Sequence, residues 1–316
     1  AAIISAEPAS AAAHEARWRL GQAYMEDGDL TEAYVALSLA QEQAPAEALP
    51  AEVDFWIGDL LAQLGNPTAA VEAYRRYLAR EDVLAGEVNL RIGRLLRAAE
   101  DTPAAQAALQ GAVDTAPDNF ILFAAREELA ETAIGLGEWS TAVEQFDQIL
   151  TVSQYARYRA EIQHRAGQAL EQAGQSAEAA DRYRRAIAED ENSPGALDAA
   201  NALEVLGQPV DEVTRARILL GNGYASDGIA AMYRYFDRVP DHPAAPHLLV
   251  AETYFGQREY AKAIAEWQAL LDTHPEYADR AGVLMRMAVA NGRLGNTGMA
   301  RDLYRQAADA RPSAQE

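Results

Sequence analysis

Apolar positions along the chain recur in two interleaved sets, and the spacing within each set predicts helices. The first set is an anchor at Leu20, Ile57, Ile92, Leu129 and Ala166, with successive separations of 37, 35, 37 and 37 residues. A small residue follows each anchor: Gly21, Gly58, Gly93 and Gly167, with Ala130 as the exception. Glycine inside a helix costs about 1 kcal/mol relative to alanine, so its recurrence marks a face that a neighbouring helix approaches closely. The second set pairs Ala33, Ala70, Ala105, Ala142 and Ala179 with a larger side chain four residues on, Leu37, Tyr74, Leu109, Phe146 and Tyr183. At about 3.6 residues per turn the two members share a face. Each unit is therefore expected to be two helices interlocked small against large, and each buried large side chain contributes roughly 1.5 to 3 kcal/mol.

The punctuation supports this register. Gly28, Gly65, Gly137 and Gly174 fall between the two helical stretches of their units, where left-handed backbone commonly ends a helix. Pro45 and Pro117 close units, and Pro194, Pro243, Pro275 and Pro312 mark later boundaries, as suits a residue that opens helices and breaks their interiors. One place departs from the rhythm. The step from Ala166 to Leu220 is 54 residues, followed by steps of 30 to Val250 and 37 to Met287. Here Pro194 to Leu206 reads as a helix, Gly207-Gln208-Pro209 as a turn and Val210 to Tyr224 as a longer helix, with a bend or a change of pitch as the expected consequence.

The residues Leu20, Gly21, Tyr24, Gly28, Ala33, Ala40 and Pro45 resemble a tetratricopeptide repeat, and similar units cover most of the chain. Further copies read as Leu220-Gly221-x-x-Tyr224 with Gly228, Val250-Ala251-x-x-Tyr254 with Ala263, Trp267 and Pro275, and Met287-Ala288 with Gly295, Ala300, Tyr304 and Pro312. The resemblance implies an all-α solenoid, a right-handed superhelix of antiparallel helix pairs. The expected organisation is a linker over 1–13, five repeats over 14–191, an irregular helical segment over 192–228 and further repeats over 229–316. A solenoid grows by adding neighbours, so 316 residues need no single central core.

Composition narrows the partners. The formal net charge of −21 repels phosphate, which argues against nucleic acid and anionic membrane surfaces. No run of eighteen apolar residues is present, so no membrane span is expected. The surplus acids are expected to solvate the convex face. Without cysteine there are no disulfides or thiol chemistry, though this does not fix the compartment. The opening Ala1-Ala2-Ile3-Ile4 and the Ala/Ser/Pro-rich stretch to Ala13 resemble a linker after a removed signal or anchor. An extracytoplasmic place in a bacterial periplasm or envelope is thus expected, and an engineered chain boundary is equally compatible. Lys262 as the one lysine, with heavy alanine use, fits a GC-rich bacterial genome.

Nothing in the sequence requires catalysis. His14, His164, His242, His247 and His274 form no His-Glu-x-x-His motif. His242 and His274 precede prolines at boundaries, where turn roles are expected, and Pro243 and Pro246 separate His242 and His247 from one helical face. No phosphate loop or Gly-x-Ser-x-Gly elbow occurs, and no metal or cofactor is expected.

The resemblance also implies where partners bind, since in the family the first helix of each unit lines the concave face. The corresponding residues are Glu15, Trp18 and Gln22, then Phe55 and Asp59, then Leu90, Arg94 and Arg97, then Glu127 and Glu131, then Glu161, His164, Gln168 and Glu171. Some family members hold a carboxylate terminus with a Lys/Asn/Arg clamp. Of the matching positions here only Arg94 and Arg97 carry the required charge, which disfavours that mode. Trp18 and Phe55 are expected either to anchor a peptide or to pack against the preceding helix. With Arg94 and Arg97 they also suit a glycan.

A narrower resemblance covers the last third to two fifths of the chain. The run Leu203-Glu204-Val205-Leu206-Gly207-Gln208-Pro209-Val210-Asp211-Glu212, with Ala230 to Pro243 and the closing repeats, is similar to the helical region preceding the catalytic domain in some soluble lytic murein transglycosylases. The catalytic glutamate-serine signature of that family and its Gly-Leu-Met-Gln run do not occur here. Two readings follow. One is a noncatalytic scaffold holding a protein or peptide. The other is the superhelical part of a peptidoglycan-cleaving enzyme whose catalytic domain lies outside this chain.

Overall fold

The structure is a computed structural model and describes residues 10–44 and 49–310. Among the described residues there are seventeen α-helices and no strand. The chain divides into two compact units, Ala1–Ser153 with Ala169–Gly174, and Gln154–Gln168 with Gln175–Glu316.

In the first unit the helices pack in consecutive pairs: α1 (Ala11–Asp27) with α2 (Leu30–Gln43), α3 (Glu52–Gln63) with α4 (Pro67–Leu78), α5 (Ala85–Ala98) with α6 (Thr102–Asp114), and α7 (Asn119–Leu136) with α8 (Trp139–Val152). Each second helix also packs on the first helix of the next pair. The core is thus a continuous seam, in which Leu37, Val53, Ile57, Leu60, Tyr74, Tyr77 and Val88 are all buried. The second unit takes in α9 (Ala156–Gln172) as far as Gln168, then α10 (Ser176–Glu189) and α11 (Pro194–Val205). It continues with the pairs α12 (Glu212–Gly221) and α13 (Ala225–Arg238), α14 (Ala245–Gly256) and α15 (Tyr260–Thr273), and α16 (Arg280–Arg293) and α17 (Thr297–Asp309).

The interlock expected from the sequence closes the pairs whose first helix carries glycine at the small position. A Cβ built on Gly58 would stand 2.6 Å from the ring of Tyr74, one on Gly93 2.5 Å from Leu109, and one on Gly167 2.5 Å from Tyr183. In each case the large side chain lies sixteen residues after the glycine. Ala33, Ala70, Ala105, Ala142 and Ala179 are all fully buried. Leu20 differs from the other anchors, being 39% exposed where Ile57 is 2%, because no earlier described helix covers it.

The turn also has a fixed place, seven residues after the small residue. Gly28, Gly65, Gly137, Gly174 and Gly295 take φ between +74° and +82° there. Two units make the same turn without glycine, through Glu100 at φ +61° and Arg258 at φ +64°. A left-handed conformation costs an L-residue roughly 1 to 2 kcal/mol, so these turns are imposed by the packing of the helices on either side.

The sixth unit has a different register from the one expected. Leu220, Gly221 and Tyr224 are not first-helix anchors, and Gly228 is not a turn. The turn glycine is Gly223, at φ +86°, so α12 stops at Gly221 and does not reach Tyr224. Counting back seven places Ala216 as the small residue, with Gly228 as its buried counterpart in α13 and Met232 as the buried large side chain. The helix expected over Pro194–Leu206 and the turn at Gly207 are present. Pro194 occupies the first turn of α11, behind the Ser193 cap. The first described helix begins at Ala11 with Ser10 as its cap, inside the segment expected to be a linker. Pro45 and Pro312 lie outside the described residues.

Candidate functional site

The first helix of each pair turns its small residue toward its second helix. The residue three positions before the small one and the residue one position after it then flank that face. In the first unit these are Trp18 and Gln22 on α1, Phe55 and Asp59 on α3, Leu90 and Arg94 on α5, and Glu127 and Glu131 on α7.

Trp18 and Phe55 pack within the stack. The Trp18 ring stacks on Trp56 of the next pair at 6.1 Å and 15°, with the Arg19 guanidinium 4.2 Å from its centroid. Phe55 lies 6.0 Å from Tyr74 and 5.9 Å from Tyr77, and the Arg91 guanidinium sits 4.9 Å from its centroid. Both are partly buried.

The polar residues of the row stay at least partly accessible, and Asp59 and Arg94 are each tied to the next pair. Gln22 accepts from Arg19 Nη1 at 3.2 Å. Asp59 accepts from the Tyr74 hydroxyl and from Arg91 Nη1, the latter at 2.9 Å across to α5. Burial first, and then the bond to Asp59, push the Tyr74 phenol well above the ordinary tyrosine value, so it remains a donor. Arg94 Nε and Arg97 Nη2 each lie 2.7 Å from a different oxygen of Glu128 on α7. Two guanidinium groups thus share one carboxylate, and these three side chains together carry one net positive charge. Glu127 is half-buried and Glu131 exposed.

His164 and Gln168 belong to the second unit. His164 is buried, its ring 5.7 Å from Tyr183, so it is a packing residue and not the groove-lining one expected. Gln168, on the next turn, is exposed.

Sequence reasoning missed an apolar groove in the second unit. Phe255 on α14, Met285 and Val289 on α16 and the buried Trp267 of α15 line a cavity of about 410 Å³, beside the ion pair of Arg286 with Glu252 at 2.9 Å. The signal was available, because Met285 and Val289 stand at the same offsets from Ala288 as Trp18 and Gln22 from Gly21. Glu128, which closes the Arg94–Arg97 pair, carried no such signal.

A second feature escaped the sequence. The prolines do keep His242 and His247 off one helical face, yet the rings meet at 4.8 Å, and Phe236 stacks on His247 at 4.3 Å and lies tilted against His242 at 4.5 Å. His247 Nδ1 lies 3.0 Å from Glu266, which also accepts from the Tyr233 hydroxyl. His274 Nε2 donates to the His242 carbonyl at 2.9 Å, a turn role as expected. No group of three or more His, Asp or Glu among the described residues could hold a metal ion. No helix among them is long and apolar enough to cross a membrane.

The chain matches the family model described as "Tetratricopeptide repeat" over residues 46–85, 127–194 and 248–315, more than half of its length. No curated protein sequence matches it. Among solved structures it is similar to MamA, at 20% identity over 57% of this chain and 92% of that one, with a TM-score of 0.47. It is similar to YrrB, a TPR protein with an unusual peptide-binding site, at 18% identity over 64% of this chain and 96% of that one, with a TM-score of 0.48. A third is the C-terminal part of a TPR repeat-containing protein from Cytophaga hutchinsonii, at 14% identity over 84% and 99%, TM-score 0.49. Neither the family match nor these structures lend support to the resemblance to lytic transglycosylases.

Proposed function

We propose that the chain, which belongs to the tetratricopeptide repeat family, is a noncatalytic scaffold that binds a protein or peptide along the first helices of its repeats. The observation that carries this reading is the polar row Gln22, Asp59, Arg94 and Glu131. One residue per repeat recurs at the same offset from the interlock and stays accessible, with its charge alternating in sign along the last three. Such a row can read a partner by the pattern of its charges, because opposite charges in register favour one sequence and repel others. Trp18 and Phe55 support the row from beneath as packed aromatic residues, and the groove of Phe255, Met285 and Val289 offers an apolar site to the same kind of ligand.

The finer part of the reading is an extracytoplasmic site of action. Fractionation of cells carrying the tagged chain tests it. The binding reading is tested by quantitative capture of partners on the immobilised chain. Reversing Arg94→Glu and Glu131→Arg together is expected to abolish capture. Reversing Glu144→Arg and Asp181→Arg, on second helices, is expected to leave it intact. Equal capture by both variants would refute the first-helix face as the binding surface.

A further inference from the structure

The break in the repeat has a specific cause in four residues. In the other pairs the order is a small residue, a left-handed turn seven residues on, a second small residue twelve on and a large apolar one sixteen on, as in Gly58, Gly65, Ala70 and Tyr74. Across α11 and α12 the same count gives Ala200, Gly207 at φ +70°, Glu212 and Ala216. A charged side chain stands where a small one is needed, and alanine stands where the filler belongs. The α11–α12 pair cannot interlock, so α12 packs against α13 with Ala216 and Leu220 on Gly228. A cleft of about 560 Å³ opens between α11 and the α12–α13 pair, with the loop through Pro209 and Val210 at its edge.

That volume falls in the range of small-ligand sites. The walls combine apolar surface from Ala200, Val210, Leu219 and Ala230 with the guanidinium groups of Arg215, Arg234 and Arg238. Arg215 Nη2 bonds Asn201 at 2.7 Å and lies 3.6 Å from the Glu204 carboxylate, while its Nη1 is buried with no acceptor among the described residues. A buried donor left without an acceptor is destabilising, so a ligand oxygen that meets it is favoured. Arg234 is exposed, with no ion pair or hydrogen bond among the described residues, and Arg238 is held by Glu212 at 2.8 Å. The donors lacking acceptors are therefore Nη1 of Arg215 and the guanidinium of Arg234. Glu204, Asp211, Glu212 and Asp227 also line the cleft, and these carboxylates would repel a dianion such as phosphate more than a singly charged group.

We propose that this cleft is a second binding site, for a ligand that presents a carboxylate on an apolar body. The carboxylate meets the guanidinium groups of Arg215 and Arg234, whose fork geometry matches it, and the apolar body lies along Val210, Leu219 and Ala230. The site is separate from the first-helix face, which on α12 is represented by Val213 and Arg217, so it stands or falls independently of the scaffold reading.

The test is a titration of the full chain followed by amide chemical shifts. Hexanoate serves as a free organic acid and acetyl-Leu-Glu-amide as a carboxylate carried on a peptide. Hexanamide and inorganic phosphate serve as the neutral and the dianionic controls. Saturable binding of either carboxylate is expected, with shifts at Ala200, Val210, Arg215 and Ala230, and the probe that binds identifies the source. Arg234→Gln should weaken it about tenfold, and because Arg234 is exposed and unpaired that variant keeps the fold. Equal binding of hexanamide, tighter binding of phosphate, no saturation by either carboxylate, or unchanged affinity in both Arg234→Gln and Arg215→Gln would overturn the proposal.

Discussion

The Tyr74 ring lies across Gly58 and donates its hydroxyl to Asp59, the next residue on the same helix. One side chain therefore closes the α3–α4 pair and fixes the carboxylate that Arg91 reaches from the next pair. Tyr74→Phe keeps the ring and removes the bond, so urea unfolding should show a loss of about 0.5 to 1.5 kcal/mol. Because burial and Asp59 raise the phenol's pKa, the stability it confers is complete below the unfolded value of about 10 and declines as pH rises above it. Tyr74→Phe should flatten that alkaline decline, and an equally steep decline in the variant would assign it elsewhere.

Ala142 and Ala179 are fully buried at the small position of their second helices. Replacing either with leucine should overpack the interface and cost about 1 to 3 kcal/mol. An unchanged thermal midpoint in both variants would contradict the assignment of this position.

Glu100 and Arg258 hold turns that glycine makes elsewhere in the chain. Glu100→Gly and Arg258→Gly should each stabilise by up to about 1 kcal/mol, the relief of left-handed strain exceeding the added freedom of the unfolded chain. Denaturant midpoints that fall in both variants would count against strain at these turns.

The sequence made the pair architecture legible because two short-range signals coincide, the small-large spacing within helices and the left-handed turn between them. It misplaced the unit after Gly207 because Leu220, Gly221 and Tyr224 imitate the anchor pattern, and only the backbone at Gly223 decides where α12 ends. The candidate row was legible by offset alone. Its occupancy was not, since the bonds of Asp59 to Arg91 and of Glu128 to Arg94 and Arg97 join residues more than thirty positions apart. His164 looked accessible by offset, but the ring beside it belongs to another helix.

Glu266 joins α15 to α13 and α14 through Tyr233 and His247. Burial acts to raise its pKa, and the hydrogen bonds from His247 and Tyr233 outweigh burial and hold it below the ordinary carboxylate value. A lowered folded value means stability that is present above the unfolded pKa of about 4.3 and lost as pH falls through the folded one. Thermal unfolding between neutral and acid pH should therefore show a steeper loss in the wild type than in Glu266→Gln. Parallel curves would show that this carboxylate carries none of the acid sensitivity.

The most direct test of the interlock is a double-mutant cycle on Gly93 and Leu109 followed by chemical denaturation. Gly93→Ala gains about 1 kcal/mol of helix propensity, but its Cβ would stand 2.5 Å from the Leu109 side chain. In the wild-type background it should destabilise by about 1 to 3 kcal/mol. In the Leu109→Ala background the same change should stabilise, reversing sign. Equal effects in the two backgrounds would contradict the claim that these paired positions close each helical hairpin.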